Sequence, residues 1–328
     1  MITRNLKGKM NKGYFESEAI GSSDLGSAIV SGEPLSLNLD NLTVPIMPSA
    51  AMETGKQFED LVEQAYGGFP TFTDKYFMSS LEKIPETTKK GLKGIYEILD
   101  GDDIIKDAED GFVYTAGGKL SKTYESRHIC LKEIEKHGFL KRPVSMTDQA
   151  KLKIMMKRFK SYPLQIAGVT KKMDTWLSGF EVEFQREFFW KHESGEECRA
   201  KFDILLYYDD TDGNKCVVAL DMKVTGNYPA FMRNWRDKYI WQTVHYLHGL
   251  KAYCRENDFR AYPLMPYPVQ ESSEPHTTHC LTLDIEEIES LQELYFEAVE
   301  AIWKWKQDGK KIKGFMDQQT VNRWGKQV

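Results

Sequence analysis

The sequence has few cysteines, and their positions exclude two common roles for them. Only five occur in 328 residues, and no two have the Cys-x-x-Cys spacing of a metal-binding or redox pair. An odd and scattered set argues against both a disulfide framework and an iron–sulfur cluster. We therefore expect reduced thiols at Cys130, Cys198, Cys216, Cys254 and Cys280.

Features of membrane proteins and of ATP-driven motors are also missing. No apolar run reaches the length of a transmembrane helix, and residues 1–4 do not open a positively charged and then apolar leader. The sequence contains no glycine-rich loop of the kind that binds nucleotide phosphates. These absences lead us to expect a cytoplasmic protein with no membrane partner and no ATP-driven activity of its own.

The chain has no excess of positive charge. It contains 44 basic and 49 acidic residues, which gives a formal net charge of -5. This balance does not exclude a nucleic-acid partner, because binding requires only a local basic surface and a bound metal reverses the charge of an acidic pocket. Net charge is therefore neutral evidence about function.

The periodicity of apolar residues changes along the chain. Residues 1–48 are rich in Gly, Ser, Asn and Pro and predict an irregular arm. Apolar residues at helical spacing then predict a helix over about 49–66, followed by helical patterns over roughly 86–99, 119–137 and 146–161. The first half of the chain is thus predicted to be mostly helical.

The second half is predicted to be rich in strands. Residues 180–190 alternate like a strand, two further strands follow, and Pro229 opens a long helix. Segments near 259–268 and 277–283 are predicted strands, and Asp284 with Glu287 predicts a capped helix that ends near residues 308–309. The whole pattern favours one α/β domain.

Two carboxylates and a lysine stand out in this strand-rich part. Asp221 and Lys223 are two residues apart in the apolar run 216–224, which predicts a buried strand with both side chains on one side. Asp203 belongs to the preceding predicted strand, and residues 209–214 are typical of a hairpin turn. The hairpin would bring Asp203 and Asp221 onto neighbouring strands.

Such a pair of carboxylates is costly to bury unless a cation neutralises it. Mg²⁺ or Mn²⁺ accepts oxygen ligands, and the carbonyl of Met222 is an additional candidate ligand. A lysine beside the metal suits phosphodiester cleavage, because Lys223 would neutralise negative charge in the transition state. Neighbouring carboxylates favour this electrostatic role over that of a general base.

Other polar residues are candidates for the same site. Glu183 and Glu187 share one face of the predicted strand 181–190 by simple alternation, so either one qualifies as a third acidic ligand. Gln242 and Tyr246 lie one turn apart on the long helix, where they would bind the catalytic residues or the DNA backbone.

The combination over residues 181–253 resembles the PD-(D/E)xK nucleases, specifically the RecE/RecB-like exonucleases of phages and recombination systems. The resemblance rests on Glu187-Phe188-Phe189-Trp190, Lys201-Phe202-Asp203, Asp221-Met222-Lys223-Val224-Thr225 and the Gln242-to-Tyr246 spacing. It implies that Glu187 rather than Glu183 completes the metal site, and that Lys201, Gln242 and Tyr246 position DNA.

A weaker resemblance reaches the first half of the chain. Residues 20–25 look like the serine-rich opening of RecE-type domains, and residues 55–59 resemble their Gly-xxx-His element, in which a helix-borne histidine lies beside the metal. Here the histidine is replaced by Glu59. A carboxylate can still ligate metal, and its hard oxygen favours Mg²⁺ over Mn²⁺.

The resemblance implies a restriction-endonuclease-like α/β core, in which helices flank a mixed central sheet. We expect an arm over 1–48 and one nuclease domain over 49–328, helical over 49–170 and with the catalytic sheet over 171–328.

The expected activity is that of a metal-dependent DNA exonuclease in phage-type recombination or DNA processing. An endonuclease or repair nuclease, and a non-catalytic nucleic-acid-binding protein, are the alternatives. Expected partners are double-stranded DNA with free ends, further copies of the chain, and a strand-annealing protein.

Overall fold

The structure is a computed structural model that describes residues 19–22, 25, 50–84, 129–130, 132–134, 136–138, 141–193 and 195–307. The helix predicted over 86–99 lies outside these residues, as does most of the arm predicted over 1–48. Within the helix predicted over 119–137, the described residues from 129 to 137 are helical. The described part of the chain forms a mixed α/β arrangement, in agreement with the predicted class.

Two helices of the first half occur where the sequence predicts them. Helix α1 (Ala50–Gly67) buries Phe58 and Val62, and it is followed by α2 (Thr71–Lys75). Two short strands, β1 (Tyr76–Met78) and β2 (Arg142–Val144), pair in parallel. Helix α3 (Met146–Ser161) begins at Ser145, whose hydroxyl accepts a hydrogen bond from the Asp148 backbone N–H at 3.0 Å. Such a cap satisfies one of the free N–H groups of the first turn.

A hairpin and a short helix lead from α3 into the main sheet. The hairpin consists of β3 (Pro163–Ile166) and β4 (Val169–Lys172), and α4 (Met173–Gly179) follows it. The main sheet has the order β5-β6-β7-β9. Its strands are β5 (Glu181–Lys191), β6 (Glu197–Asp209), β7 (Lys215–Leu220) and β9 (Arg260–Ala261). The first two pairings are antiparallel and the last is parallel.

The predicted hairpin between the two aspartate-bearing segments is confirmed. Asp210 closes the turn, because its Oδ1 accepts hydrogen bonds from the backbone N–H groups of Asp212 and Asn214 at 2.9 and 2.8 Å. Gly213 has a φ of 79°, which glycine adopts without steric cost. The turn therefore sets the register in which β6 pairs with β7.

The apolar run 216–224 is not the single strand that its alternation predicts. Strand β7 ends at Leu220, and β8 (Lys223–Thr225) pairs in parallel with β10 (Tyr267–Glu271) in a second sheet of order β11-β10-β8. The third strand of this sheet is β11 (Thr278–Leu281). The alternation of apolar and polar residues indicates which side chains face a core, but it does not indicate which strand is the pairing partner. The change of sheet at Asp221 and Met222 therefore leaves no signal in the local sequence.

The long helix opened by Pro229 is confirmed as α5 (Tyr228–Asn257). Asn227 caps it by accepting a hydrogen bond from the Ala230 N–H at 3.0 Å, and Asp258, in the left-handed conformation, ends it. The helix approaches β5 closely at Gly249, where a β-carbon would lie 2.9 Å from the ring of Trp190.

The C-terminal elements differ from their predicted bounds. The strand predicted over 259–268 is reduced to β9 and the first residues of β10, whereas the one predicted over 277–283 is present as β11. The helix predicted from Asp284 is interrupted at Leu291 into α6 (Ile285–Ser290) and α7 (Gln292–Gln307). Asp284 is the N-terminal cap residue, but its side chain accepts no capping hydrogen bond. Glu287 forms an ion pair with Arg236 of α5 instead of closing a capping box.

The main sheet separates two hydrophobic cores. The first core packs the sheet against α5, α6 and α7 and contains Phe202, Leu205, Tyr207, Val217 and Ala219. The second packs the opposite face against α1, α3 and α4 and contains Ile204, Leu206, Val218, Leu220 and Met222. Among the described residues, no helix combines the length and the apolar character that a membrane crossing requires.

Candidate active site

Asp203 and Asp221 come together at the point where the main sheet ends. The β6–β7 pairing ends with Ile204 opposite Leu220, so Asp203 and Asp221 each lie one residue beyond its last pair. Asp203 Oδ2 accepts a hydrogen bond from the Met222 N–H at 3.0 Å, and Asp221 is only 3% exposed. The change of sheet after Leu220 thus frees the Met222 N–H to bind Asp203 rather than a further strand.

Lys223 neutralises part of this negative charge. Its ammonium forms an ion pair with Asp221 Oδ2 and lies 5.1 and 5.9 Å from the ring centroids of Tyr239 and Tyr267. Burial alone would lower the pKa of Lys223, but Asp221 and Asp203 outweigh it and raise that pKa overall. The raised pKa favours the protonated form of Lys223.

The long helix supplies a second partner for Asp221. Gln242 Nε2 donates a hydrogen bond of 2.9 Å to Asp221 Oδ1, so the two oxygens of this carboxylate bind different groups. Tyr246, one turn further on, is 8% exposed and packs edge-on against Phe202 at 5.4 Å. Tyr246 thus lies in the first core beside the strand that carries Asp203, and its contact with DNA stays a prediction.

Glu59 of α1 shares the electrostatic environment of the two aspartates. Burial raises the pKa of Glu59 to about 7, with Asp221 and Asp60 adding to the rise and Lys223 opposing it. Burial likewise raises the pKa of Asp203 well above its usual value, and the charges of Asp221 and Glu59 contribute. These three carboxyl groups and the Lys223 ammonium therefore interact, and only full ionisation of the carboxyl groups would leave an excess of negative charge.

Glu183 and Glu187 do not share a face, contrary to simple alternation. Val182 and Phe184 pack in the second core, but Phe188 and Trp190 pack in the first, although all four positions are even. The interruption falls at Gln185, whose φ of 52° is unusual for a residue with a side chain. Gln185 and Asp203 fall between the pairs Phe184–Ile204 and Arg186–Phe202 without pairing themselves, and Gln185 Nε2 lies 3.5 Å from Asp203 Oδ1.

The two glutamates therefore have different surroundings. Glu183 forms an ion pair of 3.5 Å with Arg186, whose guanidinium lies 5.6 Å from the Tyr253 ring centroid on the α5 side. Glu187 is opposite Lys201 in the pairing and forms an ion pair of 3.9 Å with it. Burial raises the pKa of Glu63 on α1, and the nearby charge of Lys201 opposes that rise, so Lys201 and Glu187 lie on the α1 side.

The chemistry of this donor set fits a hard divalent ion. Glu59, Asp203 and Asp221 offer only oxygen ligands, and with Lys223 they have a formal charge of −2 when ionised. Among the described residues, however, no three His, Cys, Asp or Glu side chains are already arranged as a ligand set. Lys223 pairs with Asp221 Oδ2 and the Met222 N–H donates to Asp203 Oδ2, so a metal at these two oxygens would have to displace both contacts.

Sequence reasoning missed three residues of this site. Tyr239 precedes Gln242 by three positions, so helical spacing was a usable signal for its place beside Lys223. Tyr267 comes from β10 and Gln185 from the interrupted strand, and neither has a local signal, because pairing between sheets and a left-handed backbone are not visible in alternation.

Comparisons with known proteins leave the chain without an established family. No family model matches it, and no curated protein matches it. Among solved structures, a protein from Eubacterium rectale named "Putative exonuclease" aligns over 90% of this chain and 86% of its own, with 11% sequence identity and a TM-score of 0.38. A likeness of this degree carries no conclusion about function.

The raised pKa of Glu59 predicts how the stability of the metal-free protein depends on pH. Between its usual pKa of 4.5 and about 7, folded Glu59 binds a proton that the unfolded chain releases, so this group's contribution to stability falls as the pH rises from about 5 to 8. Glu59→Gln cannot lose a proton. We expect its stability relative to wild type to improve across this window by on the order of 1 kcal/mol.

The measurement is denaturant unfolding of both proteins in chelator at several pH values. The wild-type curve alone is insufficient, because burial lowers the pKa of His248 to about 4 and makes that residue's contribution rise with pH up to about 6.5. The difference between the two proteins removes this effect. A difference that stays constant from pH 5 to 8 would show that Glu59 is solvated.

The opposite placement of the two glutamates predicts different effects on metal binding. Glu187→Gln should weaken the calorimetric affinity for Mn²⁺ severalfold, because it removes a carboxylate on the α1 side. Glu183→Gln, which removes the same charge from the same strand, is the matched control and should leave the affinity unchanged. Weakening by Glu183→Gln alone would place the third acidic residue on the α5 side.

Proposed function

We propose that this protein is a metal-dependent nuclease that hydrolyses phosphodiester bonds of DNA. The observation that carries the proposal is the position of Asp203 and Asp221 just beyond the last pair of β6 and β7, with Lys223 ion-paired to Asp221. Buried carboxylates that repel each other cost stability, and a fold retains such an arrangement where a cation or a reaction requires it.

The residues that would hold the metal are Asp203, Asp221 and Glu59, with the carbonyl of Met222 and the carboxylate of Glu187 as further candidates. A bound Mg²⁺ or Mn²⁺ would polarise the phosphoryl oxygen and lower the pKa of a water molecule. The excess of carboxylates over ammonium supports this proposal, because one Lys223 cannot neutralise Glu59, Asp203 and Asp221 together.

Lys223 would stabilise the negative charge that develops on the phosphoryl group. Its pKa is raised by Asp221 and Asp203 against the effect of burial, so it stays protonated, and the rings of Tyr239 and Tyr267 restrict where the ammonium lies. A preorganised cation of this kind contributes most where the charge of the transition state forms. Gln242 would act as a positioning residue, since its amide orients Asp221 through Oδ1.

The finer assignment is an exonuclease of the RecE/RecB-like type that acts on double-stranded DNA ends in recombination or DNA processing. Its support is the resemblance of the motifs over residues 181–253. An endonuclease would use the same metal site, so the two activities must be separated by the topology of the DNA substrate.

End-labelled linear DNA and closed circular DNA should be incubated with Mg²⁺, Mn²⁺ or chelator. Cleavage of linear DNA alone indicates an exonuclease, cleavage of both an endonuclease, and cleavage of neither contradicts the proposal.

Replacing either aspartate by asparagine should abolish cleavage. Asp203→Asn and Asp221→Asn each remove one charge with little change of volume, so metal binding is lost while the fold remains. Asp212→Asn in the exposed β6–β7 turn is the matched control and should cleave like wild type. Rates are read from end-labelled DNA, and circular dichroism establishes folding. Two folded and fully active aspartate variants would end the assignment.

Lys223→Ala should reduce the rate by about 10²–10³-fold, the usual effect of losing one preorganised electrostatic stabiliser. Lys223→Arg should recover little, because a planar guanidinium does not replace a compact ammonium. Lys215→Ala, at the other end of β7 in an exposed ion pair with Glu181, is the control. Metal titrations must accompany the rates. If metal affinity collapses while turnover of the metal-bound form stays normal, Lys223 serves binding rather than the transition state.

A further inference from the structure

A strongly basic segment lies within this acidic chain. Residues 141–172 contain nine Lys or Arg residues and one acidic residue, Asp148, a net charge of +8 in a protein whose total is -5. The remaining residues therefore have a net charge of −13. The segment comprises β2, α3 and the β3–β4 hairpin, and it includes none of the residues of the candidate active site.

Helix α3 presents most of this charge on one side. Its five cations, Lys151, Lys153, Lys157, Arg158 and Lys160, fall within about half of the helix circumference at 3.6 residues per turn. The opposite side buries Leu152, Met155 and Phe159 in the second core, where Phe159 packs edge-on against Phe58 of α1 at 5.5 Å. The basic side of α3 therefore faces solvent.

Three of these cations have no acidic partner within the described residues. Lys151 pairs with Asp148 at 3.2 Å and Lys160 with Asp174 at 3.8 Å, but Lys153, Lys157 and Arg158 are exposed and form no ion pair there. Lys153 and Lys157 are four positions apart, where like charges repel across one helical turn. Exposed Ile154 lies among them, 44% accessible to solvent. We name Lys153, Lys157 and Arg158 the α3 basic face.

We infer that the α3 basic face is a docking surface for the phosphate backbone of nucleic acid, separate from the residues that would cleave it. The inference deepens the proposed function, on which the choice of DNA as the polyanion rests. Charge complementarity carries it: a repelling row of cations is relieved by a dense line of negative charge. Residues 151–160 extend about 13 Å along the helix, a length over which duplex DNA carries roughly eight phosphates.

The docking surface would hold DNA without reading its sequence. Contacts of lysine and arginine with phosphates supply affinity that falls steeply with salt, because each neutralised phosphate releases condensed counterions. Such a surface is consistent with an enzyme that degrades DNA regardless of sequence. It would also let a chain of net negative charge bind a polyanion, since residues 141–172 have a local net charge of +8.

The test measures DNA binding without cleavage. Fluorescence anisotropy of a labelled duplex with the full chain in chelator, from 50 to 300 mM salt, gives the slope of log affinity against log salt concentration. The variant K153Q/K157Q/R158Q should lower the magnitude of this slope by about 2–3 and weaken binding at least about tenfold. K191Q/K251Q/R255Q removes the same charge from exposed positions on β5 and α5 and should match wild type.

Each outcome decides the inference. Equal losses in both triple variants would show that only net charge matters, and unchanged binding in the α3 variant would exclude the surface; either result overturns the inference. Binding of anionic vesicles but not of duplex DNA would do the same and would assign the face to a membrane. Circular dichroism establishes that the variants fold.

The proposed function fails or survives independently of this surface. Because binding is measured in chelator, a protein that cleaves no DNA but shows the expected slopes retains the docking surface without the catalytic assignment. Conversely, if wild type cleaves and the α3 variant binds normally, the catalytic assignment stands and the docking surface does not.

Discussion

The structure depends on how two carboxylates, that of buried Asp221 and that of half-buried Asp203, are held at one end of a sheet. Both residues lie just beyond the last pair of β6 and β7, and a single ammonium, that of Lys223, pairs with Asp221. Each remaining oxygen has its own donor: the Met222 N–H, the Gln242 amide and, at longer range, the Gln185 amide. Because an unpaired buried charge is expensive, these donors tie the positions of β5, β8 and α5 to the two aspartates.

The change of sheet between β7 and β8 is what makes the arrangement possible. Had β7 continued, the Met222 N–H would have been used in a ladder and Lys223 would have remained beside β6. Because β8 pairs instead with β10, Lys223 lies next to Tyr267 of β10 and Tyr239 of α5. One discontinuity in the backbone thus combines groups from both sheets and from helices on both sides of the main sheet.

Part of the fold and of the candidate site could be predicted from local sequence patterns, and part could not. Helices α1, α3 and α5 follow from apolar spacing and caps, and the closeness of Asp203 to Asp221 follows from a hairpin turn between two apolar segments. The faces of Glu183 and Glu187 could not be obtained by counting, since one left-handed residue, Gln185, reverses the alternation. The interruption of the last helix at Leu291 likewise leaves no signal in the apolar spacing.

Gly249 lies outside the candidate active site, yet its packing affects the position of Gln242 within that site. Gly249 and Gln242 are seven residues, or about two turns, apart on α5 and therefore face the same side. A β-carbon at Gly249 would meet the ring of Trp190 at 2.9 Å, and a packed interior yields little, so the helix itself would have to move outward. Because a helix is stiff over two turns, that displacement would also move Gln242, whose amide donates a hydrogen bond to Asp221. The absence of a side chain at Gly249 thus sets the distance between α5 and β5, and with it the position of Gln242 relative to Asp221.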